Sequence, residues 1–181
     1  MTSEQLELLK YPIGKLYFPE CRPENYVQDW IGDIAGCPEG LQNLVKNLED
    51  DQLDTTYRPG GWTIRQLVHH MADSHSHAYI RFKWALTEDN PLIKAYDEKA
   101  YAALFDSKEA PVSLSLDYLK ALHARWVFLL EGMQQNDFYR TFRHPESKKE
   151  VRLLNCLAMY SWHCRHHCAH IEHLMKRRDW I

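Results

Sequence analysis

The sequence predicts an all-α fold, a four-helix bundle with long connections and a small hairpin before the last helix. Four segments have large apolar residues at helical spacing, and each is long enough to be a bundle helix. The last of them, 153–177, also holds four of the eleven histidines within eight positions. Because metal sites in such bundles are built from side chains on facing helices, this segment is the starting point for a functional hypothesis.

The first half of the chain contains two of the predicted bundle helices. Tyr11–Pro19 is expected to be an extended arm, because proline disfavours helix in the residue before it. Helical periodicity from Pro23 to Leu48 predicts the first bundle helix, with a kink at Gly36 and Pro38. The second helix is predicted over 63–87, because Thr63 followed by Gln66 is a capping-box signature.

The second half contains a long connection and the two remaining helices. The segment 90–112 is mixed and is predicted to include one short helix, and a connection of that length is often functional. Ser113 is the candidate N-cap of the third helix, which ends at Gly132. Polar and β-branched residues over 139–143 and 149–151 predict an irregular hairpin before the fourth helix, 153–177.

Composition limits the classes of protein to which the chain can belong. A length of 181 residues, with 45% hydrophobic and 26% charged residues, predicts one globular domain spanning 1–181. A net charge of −3 disfavours nucleic acid and anionic membranes as partners. The N-terminal residues lack a signal peptide, so a cytoplasmic location is expected, and the five cysteines are expected to be reduced thiols.

Two histidine pairs in the last helix have the spacing of metal ligands. His163/His167 and His166/His170 are both separated by four residues, which stacks two imidazoles on one side of a helix. At about 100° per residue, His163 and His167 lie beside the apolar side of the helix, whereas His166 and His170 lie further towards its polar side. The pattern therefore favours His163 and His167 as the interior pair.

A third ligand is expected from another helix, and the second helix offers four histidines. On a helical wheel His75 falls within the apolar side, His70 near its edge and His69 on the opposite side, while His77 is the fourth. Periodicity alone does not decide among them. Among the carboxylates, Asp73, Asp97 and Asp106 are interpreted as helix caps or solvated groups, and no catalytic residue is assigned beyond the metal ligands.

Two long motifs resemble a known family. The segments 60–75 (GGWTIRQLVHHMADSH) and 162–171 (WHCRHHCAHI) resemble the DinB superfamily, and specifically its YfiT-like branch. Further stretches of the same kind are YPIGK at 11–15, YIRFK at 79–83, YDE at 96–98 and LHARW at 122–126. The resemblance therefore extends over almost the whole chain.

The resemblance implies a four-helix bundle with one divalent metal ion held by His70, His163 and His167. The last two agree with the burial argument, whereas the choice of His70 over His75 rests on the family pattern alone. Three imidazoles suit Zn or Ni first, with Fe and Mn as alternatives. Cys164 and Cys168 depart from the family pattern; they are interpreted as core residues, with ligation or oxidation as the alternatives.

The resemblance also implies chemistry, but of two kinds. Members of the branch are called metal-dependent hydrolases, and the branch is also linked to transfer of bacillithiol or related small thiols. Transfer of a thiol to an electrophilic substrate is the first hypothesis, hydrolysis is the second, and a non-catalytic metal-binding protein is the third. A homodimer is implied by the resemblance, and Arg81 and Tyr96 are candidate substrate contacts beside the long connection.

Overall fold

The computed structural model describes residues 2–18 and 24–181 and is mainly helical. In chain order, the α-helices of this part are α1 (Ser3–Lys10), α2 (Tyr26–Val45), α3 (Asp50–Leu53), α4 (Ile64–Thr87), α5 (Glu98–Ala102), α6 (Phe105–Glu109), α7 (Val112–Gly132) and α8 (Leu153–Arg177). The long helices α2, α4, α7 and α8 form the predicted four-helix bundle. The predicted arm end at Pro19 and the predicted helix start at Pro23 lie outside the described residues.

The four bundle helices pack in a defined order. Each of α2 and α4 packs against both α7 and α8, so α2 and α4 occupy opposite corners of the bundle. Trp126 of α7 is fully buried in the bundle, and its ring meets Phe82 of α4 and Tyr160 of α8 edge-on. Within the described ranges, no helix combines the length and the apolar character needed to span a membrane.

Helix α2 continues as one helix through Gly36 and Pro38, the predicted site of a kink. Proline has no backbone N–H, so residue 38 cannot donate to the carbonyl of Ile34, its partner four residues earlier. That carbonyl instead accepts a hydrogen bond of 2.6 Å from Nδ1 of His123 on α7. The missing helical bond is thus replaced by a contact between helices.

Helix α4 begins with the predicted capping box. The Thr63 hydroxyl accepts from the backbone N–H of Gln66 at 3.1 Å, and the Gln66 side chain accepts from the Thr63 N–H at 2.9 Å. In the same first turn, the buried Arg65 side chain donates to Asp54 and to Asp50, each at 2.7 Å. These bonds tie the short helix α3 to the start of α4.

The connection after α4 contains two short helices, α5 and α6, rather than the single helix that was predicted. It packs along the N-terminal half of α4, where Gln66 donates to the carbonyl of Ala102 at 2.7 Å. Helix α7 then begins at Val112 after Pro111, and not after the predicted cap Ser113. The fixed φ of proline, here −58°, suits the start of a helix.

The predicted hairpin precedes the last helix. Strands β1 (Thr141–Arg143) and β2 (Glu150–Arg152) pair antiparallel, with Phe142 opposite Val151, after a 3-10 helix over Gln135–Tyr139. Helix α8 follows at once and has the predicted bounds, Leu153–Arg177. The sequence-based prediction did not include α1, although Thr2 and Gln5 form a capping box like that of α4.

Candidate metal centre

Helices α4 and α8 run antiparallel and bring three histidines together through the same ring nitrogen. Nε2 of His163 lies 3.1 Å from Nε2 of His167 and 3.4 Å from Nε2 of His70. One ligand atom from each of the three residues lies within 4.8 Å of the others. The structure therefore assembles the three residues that the family resemblance predicts, two from α8 and one from α4.

The spacing of these nitrogens suits a single metal ion. With metal–nitrogen bonds of about 2.0–2.1 Å, the ligands of a tetrahedral ion lie about 3.3–3.4 Å apart, and those of an octahedral ion about 2.9–3.0 Å apart. The distances of 3.1 and 3.4 Å from Nε2 of His163 to the other two Nε2 atoms fall in this range. Three imidazoles would also leave coordination positions open, as catalytic sites do and closed structural sites do not.

Burial keeps the three rings in the form that binds metals. It lowers the pKa of His70 to about 4 and the pKa of His163 and His167 well below the usual histidine range. Desolvation is the main cause, because the imidazolium ion loses more hydration than the neutral ring does. Near neutral pH the three rings are therefore uncharged, and each can present a lone pair.

Aromatic side chains wall the cluster. The Trp62 ring packs against His70 with 4.6 Å between ring centroids, and Tyr160 packs against His163 at 5.4 Å. Trp62 directly follows a tight loop in which Gly60 has a φ of +66°. A Cβ on Gly61 would lie 2.8 Å from Cγ of Arg58. Both glycines are thus required by the path that places Trp62 beside the site.

The second histidine pair of α8 is buried as well, contrary to the prediction that it lies towards the polar side. Nε2 of His166 lies 3.1 Å from Nε2 of His170. Trp162 stacks on His166 at 4.1 Å, and Tyr57 covers His170 at 4.3 Å. This pair can be grouped only with His167 of the same helix in the described part of the chain, and receives no ligand from α4.

The histidines of α4 have four different environments. His70 joins the metal cluster, while His77 stacks on Tyr96 at 4.2 Å. His69 is buried, although it was predicted on the outer side, because the long connection covers it and Ser115 and Ala110 bond to its ring. His75 is completely buried but does not join the cluster.

His75 instead contacts Nδ1 of His163, the ring nitrogen that does not face His70 and His167. Its Nε2 lies 3.0 Å from Nδ1 of His163, and its Nδ1 lies 2.7 Å from Nε2 of His123. His123 did not figure among the residues singled out from the sequence. It lies in the LHARW stretch that resembles the family, but no role was assigned to it there. A second signal was the proline inside α2, which leaves the carbonyl four residues before it in need of another donor.

The cysteines near the cluster pack with another thiol. Cys164 is buried and Cys168 half-buried, and both lie in hydrogen-bonding contact with Cys37 of α2. Contact with Cys164, followed by burial, raises the pKa of the Cys37 thiol, so it stays protonated near neutral pH. None of the cysteines whose placement is described is in a disulfide, and Cys21 lies outside those residues.

The candidate substrate contacts lie along the part of α4 that follows His70. Arg81 is buried and lines a cleft of about 460 Å³ beside the hairpin, eleven residues or about 16 Å of helix beyond His70. Tyr96 is half-buried against His77. Their role in substrate binding stays a prediction. Asp97 caps α5, whereas burial and the nearby Asp106 raise the pKa of Asp73 to about 6.

Comparison with known proteins identifies the family. The model of the DinB superfamily matches residues 34–171. A protein of Bacillus pumilus named "Putative metal-dependent hydrolase" is 50% identical over 173 residues, which cover 95% of this chain and 98% of that protein. "Putative metal-dependent hydrolase OB0782" of Oceanobacillus iheyensis is 48% identical over 171 residues, covering 94% of this chain and 98% of its own.

A solved structure has the same architecture. It is described as "YfiT from Bacillus subtilis is a probable metal-dependent hydrolase with an unusual four-helix bundle topology". The two structures superpose with a TM-score of 0.92 at 46% sequence identity, covering 96% of this chain and 99% of the other. The family match, the relatives and the shared fold lead to one conclusion: the chain belongs to the DinB superfamily.

Proposed function

We propose that this protein is a metal-dependent transferase that joins a small-molecule thiol to an electrophilic substrate, with His70, His163 and His167 as the ligands of one divalent ion. The observation that supports the proposal most directly is the convergence of three uncharged imidazoles through Nε2. A relationship to proteins named metal-dependent hydrolases supports the coarser part, a metal-dependent enzyme.

The chemistry requires a nucleophile near neutral pH. A divalent ion held by the three histidines would lower the pKa of a thiol in an open coordination position, so that the thiol loses its proton to solvent. The sulfur then forms a bond to an electrophilic carbon of the substrate, and the leaving group departs with the bonding electron pair. No carboxylate needs to act as a base in this step.

The surrounding residues favour such a reaction. Trp62 and Tyr160 place apolar surface beside the histidines, which limits the access of water to the cluster. The Tyr160 hydroxyl donates to the carbonyl of Ser74 at 3.0 Å. Its proton is engaged in this bond, so we do not assign Tyr160 a role as a general acid or base. In our proposal the buried Arg81 and the half-buried Tyr96 contact polar or anionic groups of the thiol or its acceptor.

Hydrolysis is the second candidate, because the related proteins from Bacillus and Oceanobacillus bear that name. It would use the same three histidines, with water in place of the thiol as the source of the nucleophile. Zn or Ni is the expected ion, and Fe and Mn are alternatives, since imidazole ligands alone do not select among them.

Paired assays with metal-loaded and metal-stripped protein separate the candidates. Protein loaded with Zn²⁺ or Ni²⁺ is mixed with bacillithiol and monochlorobimane, and conjugate fluorescence is followed. We expect metal-dependent conjugation. Equal rates with and without metal would contradict the proposal, and metal-dependent cleavage of p-nitrophenyl acetate without thiol would favour hydrolysis.

Matched variants test the ligands independently of the reaction. His70→Ala, His163→Ala and His167→Ala should each lose the bound ion, measured as metal content after gel filtration. His166→Ala and His170→Ala remove equally buried histidines of the same helix and should keep it. Full metal content in His163→Ala together with loss in His166→Ala would assign the ion to the second pair instead.

A further inference from the structure

A continuous row of hydrogen bonds leads from the metal cluster to the backbone of α2. At its α2 end is the Ile34 carbonyl, which Pro38 leaves without a helical donor. This carbonyl accepts from Nδ1 of His123 at 2.6 Å. Nε2 of His123 lies 2.7 Å from Nδ1 of His75, and Nε2 of His75 lies 3.0 Å from Nδ1 of His163. We call His123, His75 and His163 the histidine chain.

The carbonyl at one end fixes the proton positions of the whole chain. A carbonyl can only accept, so the proton of neutral His123 is on Nδ1 and its Nε2 is an acceptor. His75 must then donate from Nδ1 and accept at Nε2. His163 must in turn donate from Nδ1, which leaves the lone pair of its Nε2 facing His70 and His167.

We propose that His75 and His123 are positioning residues, which hold His163 in the Nδ1-protonated tautomer with its Nε2 ready to bind a metal ion. The proposal rests on the ligand assignment made under the proposed function. A metal-ligating histidine is commonly oriented by a partner on its other ring nitrogen. In this protein the partner, His75, is itself oriented by His123. His123 is in turn oriented by the Ile34 carbonyl, which Pro38 leaves without a helical donor.

A charged ring would break the chain. If His75 carried two protons, its Nε2 could no longer accept, and Nδ1 of His163 would have to do so. The proton of His163 would then be on Nε2, where it blocks metal binding. The histidine chain therefore allows metal binding at Nε2 of His163 only when its rings are neutral. Their nearly complete burial favours the neutral form.

The same residues are not well arranged to hold a second ion. His75 and His123 can be grouped with Cys37 of α2. Their facing nitrogens are 2.7 Å apart, however, which is shorter than the spacing of about 2.9–3.4 Å expected for two imidazoles on one ion. A distance of 2.7 Å is typical of an N–H···N hydrogen bond.

His167 provides a contrast inside the cluster. Its Nδ1 is buried and has no hydrogen-bond partner among the described residues, so no group orients the ring from that side. Among the three proposed ligands, His163 alone is joined to the interior of the bundle by a directed row of hydrogen bonds within the described part of the chain. We therefore expect the loss of His75 to weaken metal binding although His75 does not touch the metal.

The tautomer can be measured directly by ¹⁵N NMR of histidine-labelled, metal-free protein at neutral pH. We expect His163 to be protonated on Nδ1 and not on Nε2, with the resonance assigned by its loss in His163→Ala. A predominantly Nε2-protonated His163 in the wild-type protein would overturn the proposal. This measurement needs no variant of His75 or His123, so it decides even if those variants fail to fold.

Variants then test the effect on affinity, with Zn²⁺ as the probe in a competition titration. A glutamine amide presents a donor and an acceptor about as far apart as the two ring nitrogens, so His75→Gln and His123→Gln should bind Zn²⁺ within about threefold of wild type. His75→Leu should bind about 10–100-fold more weakly. His123→Leu, one step further away, should bind about 2–10-fold more weakly.

The matched control is His69→Leu, which removes a buried, hydrogen-bonded histidine of α4 outside the histidine chain. Its Zn²⁺ affinity should equal that of wild type. Wild-type affinity in His75→Leu, or equal losses in His69→Leu and His75→Leu, would refute a positioning role. A second equivalent of Zn²⁺ that disappears in both His75→Gln and Cys37→Ser would show a second metal site instead.

The two proposals fail in distinguishable ways. If no thiol is transferred, the tautomer and the affinity differences are unaffected. If His163→Ala retains full metal content, the ligand assignment fails, while the NMR measurement still reports whether the histidine chain fixes the tautomer.

Discussion

Burial keeps His123 uncharged in the folded protein, and this makes stability depend on pH. The pKa of His123 is lowered to about 4, mainly by desolvation, against about 6.5 in an unfolded chain. Because the folded state binds the proton less tightly, the stability that this residue contributes is present above about pH 6.5. It is lost as the pH falls towards about 4.

We predict that His123→Gln reduces this pH dependence. The glutamine side chain keeps a donor for the Ile34 carbonyl and an acceptor for His75 but does not titrate. Between about pH 7 and pH 5, the wild-type free energy of unfolding should fall by about 2 kcal/mol more than that of the variant. Urea unfolding with a chelator present measures the free energy of unfolding of wild type and variant at each pH. Parallel profiles of this free energy against pH would contradict the prediction.

At the scale of residues, periodicity placed His163 and His167 in the interior, where the structure has them, but it could not choose between His70 and His75. Both face the interior of α4, and the choice depends on which of them reaches the ligand nitrogens of α8, a distance that no single helix determines. The burial of His166 was missed for a related reason. It depends on aromatic residues outside its own turn, such as Tyr11.

At the scale of elements, the start of α4 matters because it supports the turn that contains His70. Thr63→Ala removes the acceptor for the Gln66 N–H, and we expect it to lower the free energy of unfolding by about 1 kcal/mol. Thr63→Ser should restore most of the loss. Urea denaturation followed by circular dichroism measures the change.

Thr2→Ala is the matched control, because Thr2 forms the same capping box on α1. Helix α1 buries no residue completely, so its fraying should cost much less than that of α4. Equal destabilisation by the two alanine variants would show that capping strength alone, and not the packing of the capped helix, sets the effect.

The elements themselves were largely predictable. Helix α8 has the predicted bounds, and the hairpin before it was expected, because apolar spacing and turn residues are local signals. The second short helix of the connection was not predicted. Helices α5 and α6 are too short to be stable alone and are held by tertiary bonds, such as that from Gln66 to Ala102.

At the scale of the whole molecule, a metal ion on the proposed ligands would link α4 to α8. We predict that Zn²⁺ at about 100 times its Kd adds about 2.7 kcal/mol to stability. For a chain of this length, that corresponds to a rise in Tm of about 5–10 °C. The apolar core is built from side chains other than the proposed ligands, so chelation should lower Tm without reducing helix content.

Thermal unfolding followed by circular dichroism, with Zn²⁺ or with EDTA, measures both quantities. His163→Ala should show no metal-dependent shift, whereas His166→Ala should respond like wild type. Loss of helicity on chelation would contradict the prediction, because it would make the metal part of the folding core.

We also propose that the protein is a homodimer. This proposal rests on the family resemblance alone, and light scattering can test it.

The placement of α2 and α4 at opposite corners has a consequence for how the protein is made. Helix α2 packs against α7 and α8 and not closely against α4, the next long helix to be synthesised. A growing chain therefore cannot bury the apolar face of α2 in a local pair with α4. The surface that α8 offers to both of these helices, and the two proposed ligands on it, become available only when the last helix has been translated. Until then, the nascent chain exposes apolar surface of the kind that chaperones bind.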